Sequence, residues 1–117
     1  MKYADVRSFL PLSPLAFQVL LSLADESRHG YAIIQEIAER TEGVISMRTG
    51  TMYLLLQRMV ADGLIEESGA RPKADEDDER RRYYVVTSLG RSVAAAEAKR
   101  LEAMVGQARR KQVLGRR

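Results

Sequence analysis

The chain has 117 residues, no cysteine, 45% apolar and 30% charged side chains, and a formal net charge of +3, with a pI near 9.4. That length suits one domain with a core of its own. The lack of cysteine excludes a disulfide framework or a thiolate metal site and leads us to expect a reducing, cytoplasmic setting. The longest apolar run is five residues, far below the ~20 of a membrane helix, and no apolar stretch of signal-peptide type follows Lys2. The charge is unevenly spread: residues 1–70 carry 6 basic and 9 acidic side chains, residues 71–90 carry 5 of each, and residues 91–117 carry 8 basic and 2 acidic. The basic surplus therefore lies at the C-terminal end, and the pI by itself is weak support for a nucleic-acid partner.

In chain order, residues 1–12 form an N-terminal extension. Ser13-Pro14 then opens a helix reaching about Ala24, with serine as N-cap and proline in the first turn. One apolar stripe of this helix is Ala16, Val19, Leu20 and Leu23; a second, on the neighbouring face, is Phe17, Leu21 and Ala24. A helix apolar on two sides needs two packing partners. The second helix follows Arg28-His29-Gly30, with Tyr31, Ile34, Ile37 and Ala38 expected inward, and ends at Glu42-Gly43. Val44-Ile45 read as a short extended connector. The third helix starts with Thr49 as N-cap and runs to Asp62, where Gly63 stops it; Met52, Leu56 and Met59 form its buried stripe.

Residues 64–68 and 82–87 read as strands, the second supported by its tyrosines and valines. Between them lies a long polar connection with Pro72 and the acidic run Asp75 to Glu79. The last helix begins beyond Thr87 as N-cap and reaches at least Arg110. Its Ala94, Ala98, Leu101, Val105 and Ala108 repeat at alternating spacings of four and three, a narrow seam suited to a partner helix.

Three short helices, a two-stranded hairpin and a final helix predict a mainly α fold with a small β-hairpin. This is a winged helix-turn-helix over residues 13–87, a C-terminal dimerisation helix over 88–112 and a basic tail over 113–117. In a helix-turn-helix the second helix enters the major groove while the first crosses the backbone. A hairpin beside it reaches the neighbouring phosphates.

The residues also carry a resemblance. His29-Gly30-Tyr31-Ala32-Ile33, Gly50-Thr51-Met52-Tyr53, Leu56-Gln57-Arg58-Met59 and Asp62-Gly63-Leu64-Ile65 resemble the PadR family of transcriptional regulators. Arg80-Arg81-Arg82-Tyr83-Tyr84 and Thr87-Ser88-Leu89-Gly90-Arg91 continue the match in the same order, so that it spans roughly residues 12–100. The pattern is that of the short subfamily with a single C-terminal helix. It implies a homodimer built by that helix with the partner's first helix, and in some relatives a small aromatic effector held between the dimer halves. Thr49 and Ser88 stand where the family commonly has proline; both can cap a helix.

For base reading the candidates are Thr51, Tyr53 and Gln57, with Arg48 reaching guanine or phosphate, Arg58 reaching phosphate, and Thr49 opening the same DNA-binding segment. Tyr53 can equally cap the core with its ring and offer only its hydroxyl. His29 can cap the second helix or touch a phosphate, and Tyr31 lies beside it. Arg80, Arg81 and Arg82 return the wing; they can contact phosphate or neutralise the adjacent acidic run, whose contiguous carboxylates lack the alternation and glycine of a calcium loop. The dimer candidates are Phe17, Leu21, Ala94, Ala98, Leu101, Val105 and Ala108. A single histidine and no phosphate-binding loop leave no assembled catalytic group, and no cofactor is expected. The expectation is a homodimeric repressor of a pseudo-palindromic operator in double-stranded DNA, with a small apolar or aromatic molecule as its candidate effector. The alternative is a winged-helix module that binds another protein.

Overall fold

The structure, a computed structural model, describes residues 6–69 and 82–115. Helix α1 spans Pro14–Ser22 and starts as its sequence predicts: the Ser13 hydroxyl accepts the Ala16 N–H at 3.1 Å, with Pro14 in the first turn. It ends two residues before Ala24, because Leu23 closes the last turn with its N–H shared between the Val19 and Leu20 carbonyls.

Strand β1 (Arg28–His29) comes next and was not foreseen. Two residues carry no periodicity, and this strand exists only because β3 (Tyr83–Val86) pairs with it, Arg28 opposite Tyr84 and His29 opposite Tyr83. Helix α2 (Gly30–Arg40) follows directly, capped by the His29 side chain, whose Nδ1 accepts the Ala32 N–H at 3.2 Å. The buried residues of α2 are Gly30, Ile33 and Ile37; of the expected inward set Ile37 is buried and Ile34 and Ala38 are half-buried, but Tyr31 is exposed. The reason is steric: a Cβ on Gly30 would lie 3.0 Å from the Tyr53 ring, so this glycine faces the next helix and Tyr31 is turned to solvent.

Val44 lies in a bend and Ile45 belongs to no strand. Thr41 folds the chain back, donating its hydroxyl to the Ile37 carbonyl and accepting the Ile45 N–H, and Val44 is left exposed. Helix α3 (Thr49–Ala61) begins one residue earlier than a Thr49 cap implies. Arg48 has the extended cap conformation and offers no side-chain acceptor, so Thr49 is the first helical residue. That is the position where proline is tolerated. Ser88 likewise opens helix α4 (Ser88–Arg110) while Thr87 caps it. Gly63, at φ +82°, ends α3 in the left-handed turn expected of it, with the Leu64 N–H returning to the Met59 carbonyl at 3.0 Å.

Strands β2 (Ile65–Ser68) and β3 are each shorter than predicted, and the sheet order is β1-β3-β2, antiparallel throughout. Ile33, Ile37, Met52, Leu56, Leu64 and Val93 are among the residues sealed in the core between helices and sheet. Each such side chain contributes about 1.5–3 kcal/mol relative to exposure. Helix α4 approaches this body so closely at Gly90 that a Cβ there would meet the Leu64 carbonyl oxygen at 2.1 Å. Beyond Glu97 the helix leaves the body as an arm, and the radius of gyration of 16.0 Å exceeds the ~13 Å of a compact domain of this length.

Candidate nucleic-acid interface

Helix α2, the first helix of the pair α2–α3, is fixed against α1 by a polar clamp. On the far side of α2, the Ser22 hydroxyl, itself fully buried, donates to Glu36 Oε1 at 2.6 Å, and Arg40 grips the same carboxylate at 2.8 and 2.9 Å. Arg40 continues to Gln18, tying α1 to α2. The Arg40 hydrogen bonds, helped by that from Ser22, outweigh the burial cost and hold the Glu36 carboxyl at a pKa of about 2. Sequence periodicity places Glu36 and Arg40 outside the helix, and nothing in it signals a clamp across two helices.

On the front, the N-terminal half of α3 stands clear of the body. Thr49, Gly50, Thr51 and Leu54 are exposed, Leu54 at 71%. An exposed leucine in this place escapes sequence reasoning, because it lies inside the continuous apolar run of residues 52–56 that also supplies the buried Met52 and Leu56. The Tyr53 ring and hydroxyl lie against Gly30, while 39% of the residue remains accessible.

Tyr53, Gln57 and Val60 form one wall of a groove of about 480 Å³ whose other wall is the hairpin, through Glu67, Arg82 and Tyr84. Arg82 leans across the hairpin to Glu67 at 3.2 Å, both side chains at least half exposed. An ion pair this open is worth at most ~1 kcal/mol, so the guanidinium can exchange its carboxylate for another anion. Tyr84 forms the floor; burial, and then the Glu67 charge, push its hydroxyl above the ordinary tyrosine pKa, so it stays neutral. The His29 and Tyr83 rings meet edge to face at 5.3 Å beside the groove.

The structure thus brings Tyr53, Gln57 and Arg82 together and sets His29 and Tyr31 at the start of α2 next to them. Arg48 is exposed at the entry to α3. It does not bring Arg58 into the groove: that side chain lies on the other flank of α3, in a second depression lined by Phe9, Leu12 and Asp62. Arg80, Arg81 and the acidic run lie outside the described residues.

The other candidate surface is the arm. Leu101, Met104 and Val105 are 36–51% exposed, Ala98 is exposed, Ala108 is half-buried, and on α1 Leu21 is exposed and Phe17 half-buried. Ala94 differs from the rest of this seam, because it packs on the chain's own core. Among the described residues no cluster of metal-ligating side chains occurs, and no helix is long and apolar enough to cross a membrane.

Two helices joined by the short connection 41–48, the second presented beside a β-hairpin, define a winged helix-turn-helix, the class of many transcription regulators. Residues 19–96 match the model of the transcriptional regulator PadR-like family, two-thirds of the chain, and the chain belongs to that family. An uncharacterised protein of Lysinibacillus sphaericus is 33% identical over 87 residues, 74% of this chain and 77% of its own length. Among solved structures, a PadR family transcription regulator from Clostridium difficile R20291 superposes with a TM-score of 0.70 at 25% identity, covering 88% of this chain and all of the other. Bacillus subtilis PadR, solved with operator DNA, shares the fold at a TM-score of 0.61 and 18% identity, over 74% of this chain and 46% of its own. The family is one of transcription regulators, not enzymes.

Proposed function

We propose that this protein is a homodimeric transcriptional repressor that reads a pseudo-palindromic operator. The observation that carries the reading is the exposed N-terminal half of α3 beside a groove shared with the wing. Thr51, Tyr53 and Gln57 contact base edges, and Leu54 supplies an apolar contact of the kind that suits a thymine methyl. Arg48 and Arg82 contact phosphate and fix the register, as do Arg80 and Arg81 if the wing follows the duplex; Thr49, His29 and Tyr31 flank them. Arg58, on the far flank of α3, reaches at most the edge of the duplex. The Bacillus subtilis relative solved on operator DNA supports this docking by its fold.

The exposed apolar faces of α1 and α4 support the dimer, in which Leu101, Met104 and Val105 meet a second copy. Two-fold symmetry then places half-site centres about one helical turn apart, ~34–36 Å. A small apolar or aromatic effector that alters this spacing would release the DNA.

The net charge of −3 over residues 1–70 favours the rival reading, a winged helix that binds a protein. Selection of duplexes from random DNA by the purified protein, followed by gel shifts with wild type, Tyr53→Ala and Arg82→Ala, separates the two. Enrichment of a palindromic sequence, with weaker binding by both variants, supports the repressor. Equal, negligible binding by all three proteins supports the rival.

A further inference from the structure

Helix α4 carries one carboxylate on its buried face, in line with Gly90 and Val93. Glu97 is 3% exposed, as sealed as the core around it. Its Oε1 accepts the Leu12 backbone N–H at 3.2 Å and the Arg100 Nε–H at 2.8 Å, while Oε2 accepts from the other Arg100 nitrogen at 2.7 Å. These bonds, the one from Arg100 foremost, hold the carboxyl below its ordinary pKa, so it remains ionised at neutral pH. Glu97 is also the last buried residue of α4; the next six positions after Arg100 include the exposed Leu101, Met104 and Val105. Leu12 in turn lines, with Phe9, the depression against Leu55 and Met59 on the back of α3.

Two contacts bracket the part of α4 seated on the body, with the buried Val93 between them: the Gly90 contact with the Leu64 carbonyl, and the Glu97 tie to the segment that leans on α3. We infer that Glu97 is a positioning residue that sets the angle of the C-terminal arm, and through it the distance between the two recognition helices of a dimer. The inference rests on the dimeric reading above. Gly90 and Glu97 are about 10 Å apart along the helix and Arg110 lies about 20 Å further, at 1.5 Å per residue. A displacement of 1 Å at Glu97 thus becomes about 3 Å at the tip of the arm, close to the ~3.4 Å rise of one base pair. A tie of this kind makes operator spacing, and not only stability, depend on a side chain that touches neither DNA nor the partner.

The chain has no cysteine, so Ala61→Cys, at the exposed end of α3, spin-labels each protomer once. Pulsed dipolar spectroscopy then reads the distance between the two recognition helices directly. The wild-type background is expected to give one narrow distribution. Glu97→Ala, and Glu97→Leu, which keeps the volume filled and the fold intact, are expected to move its mean by about 3 Å or to broaden it by as much. Glu97→Gln keeps an acceptor for Leu12 and should restore it. A folded, dimeric Glu97→Leu variant with the wild-type distribution overturns the inference while leaving the repressor reading intact. A wild type without any inter-label distance overturns the dimer and this inference together.

Discussion

Replacing Glu36 by glutamine tests whether the clamp behind the helix-turn-helix is electrostatic. The carboxyl sits at a pKa of about 2 against an ordinary 4.5 because Arg40 and Ser22 donate to its charged form. A shift of that size corresponds to roughly 3 kcal/mol at about 1.4 kcal/mol per pH unit. The side chains of Glu36 and Arg40 are 22% and 31% exposed, and solvent screening reduces the expected contribution to about 1–2 kcal/mol. Because the folded-state pKa is depressed, this stability is fully present above pH 4.5 and is lost as the pH falls toward 2. Urea denaturation of wild type and Glu36→Gln at pH 7, 4.5 and 3 measures it. At pH 7 the variant should be about 1–2 kcal/mol less stable, and the gap should narrow steadily on acidification. A gap of equal size at pH 7 and pH 3 refutes the electrostatic account and leaves shape alone as the reason for the clamp.

Gly90→Ala should destabilise by at least about 2 kcal/mol in chemical denaturation, since its Cβ would meet the Leu64 carbonyl oxygen at 2.1 Å. An ordinary exposed helix position would instead gain up to ~1 kcal/mol from the same change, so the sign alone decides. His29→Ala should cost about 1 kcal/mol at neutral pH through loss of the α2 cap, read by thermal unfolding. On the selected duplex, Arg82→Ala should reduce the slope of log affinity against log salt by about one, as for one phosphate contact, and weaken all sequences alike. Gln57→Ala should cost about 1–3 kcal/mol on the preferred sequence and relax the preference at one base pair.

Much of the fold is legible in the sequence because its signals are local. Ser13-Pro14, Gly63 and Thr87 are cap and stop residues whose effect depends on their immediate neighbours, and each acts where it is expected to. The residues that escape are those whose role depends on distant parts of the chain. Strand β1 needs β3 to exist, and the inward face of α2 is set by the Tyr53 ring filling the space that Gly30 leaves. Glu36 and Glu97 look like solvated helix positions and are instead tied to Ser22 on α1 and to Leu12. On α3 the sequence offers its candidates as one set, and only three dimensions separate them: Tyr53 and Gln57 turn to the wing and Arg58 turns away.

The basic surplus lies in residues 91–117 and the proposed reading surface on α3, and this separation allows a direct test. Amide chemical shifts of the isotope-labelled protein, followed while the selected duplex is titrated in, show which surface meets DNA. The account predicts that the large changes cluster at residues 48–57 and 82–84, with the basic end of α4 unaffected. Changes confined to residues 99–111 would show that net charge, and not the recognition helix with its wing, brings the protein to DNA, and would contradict it.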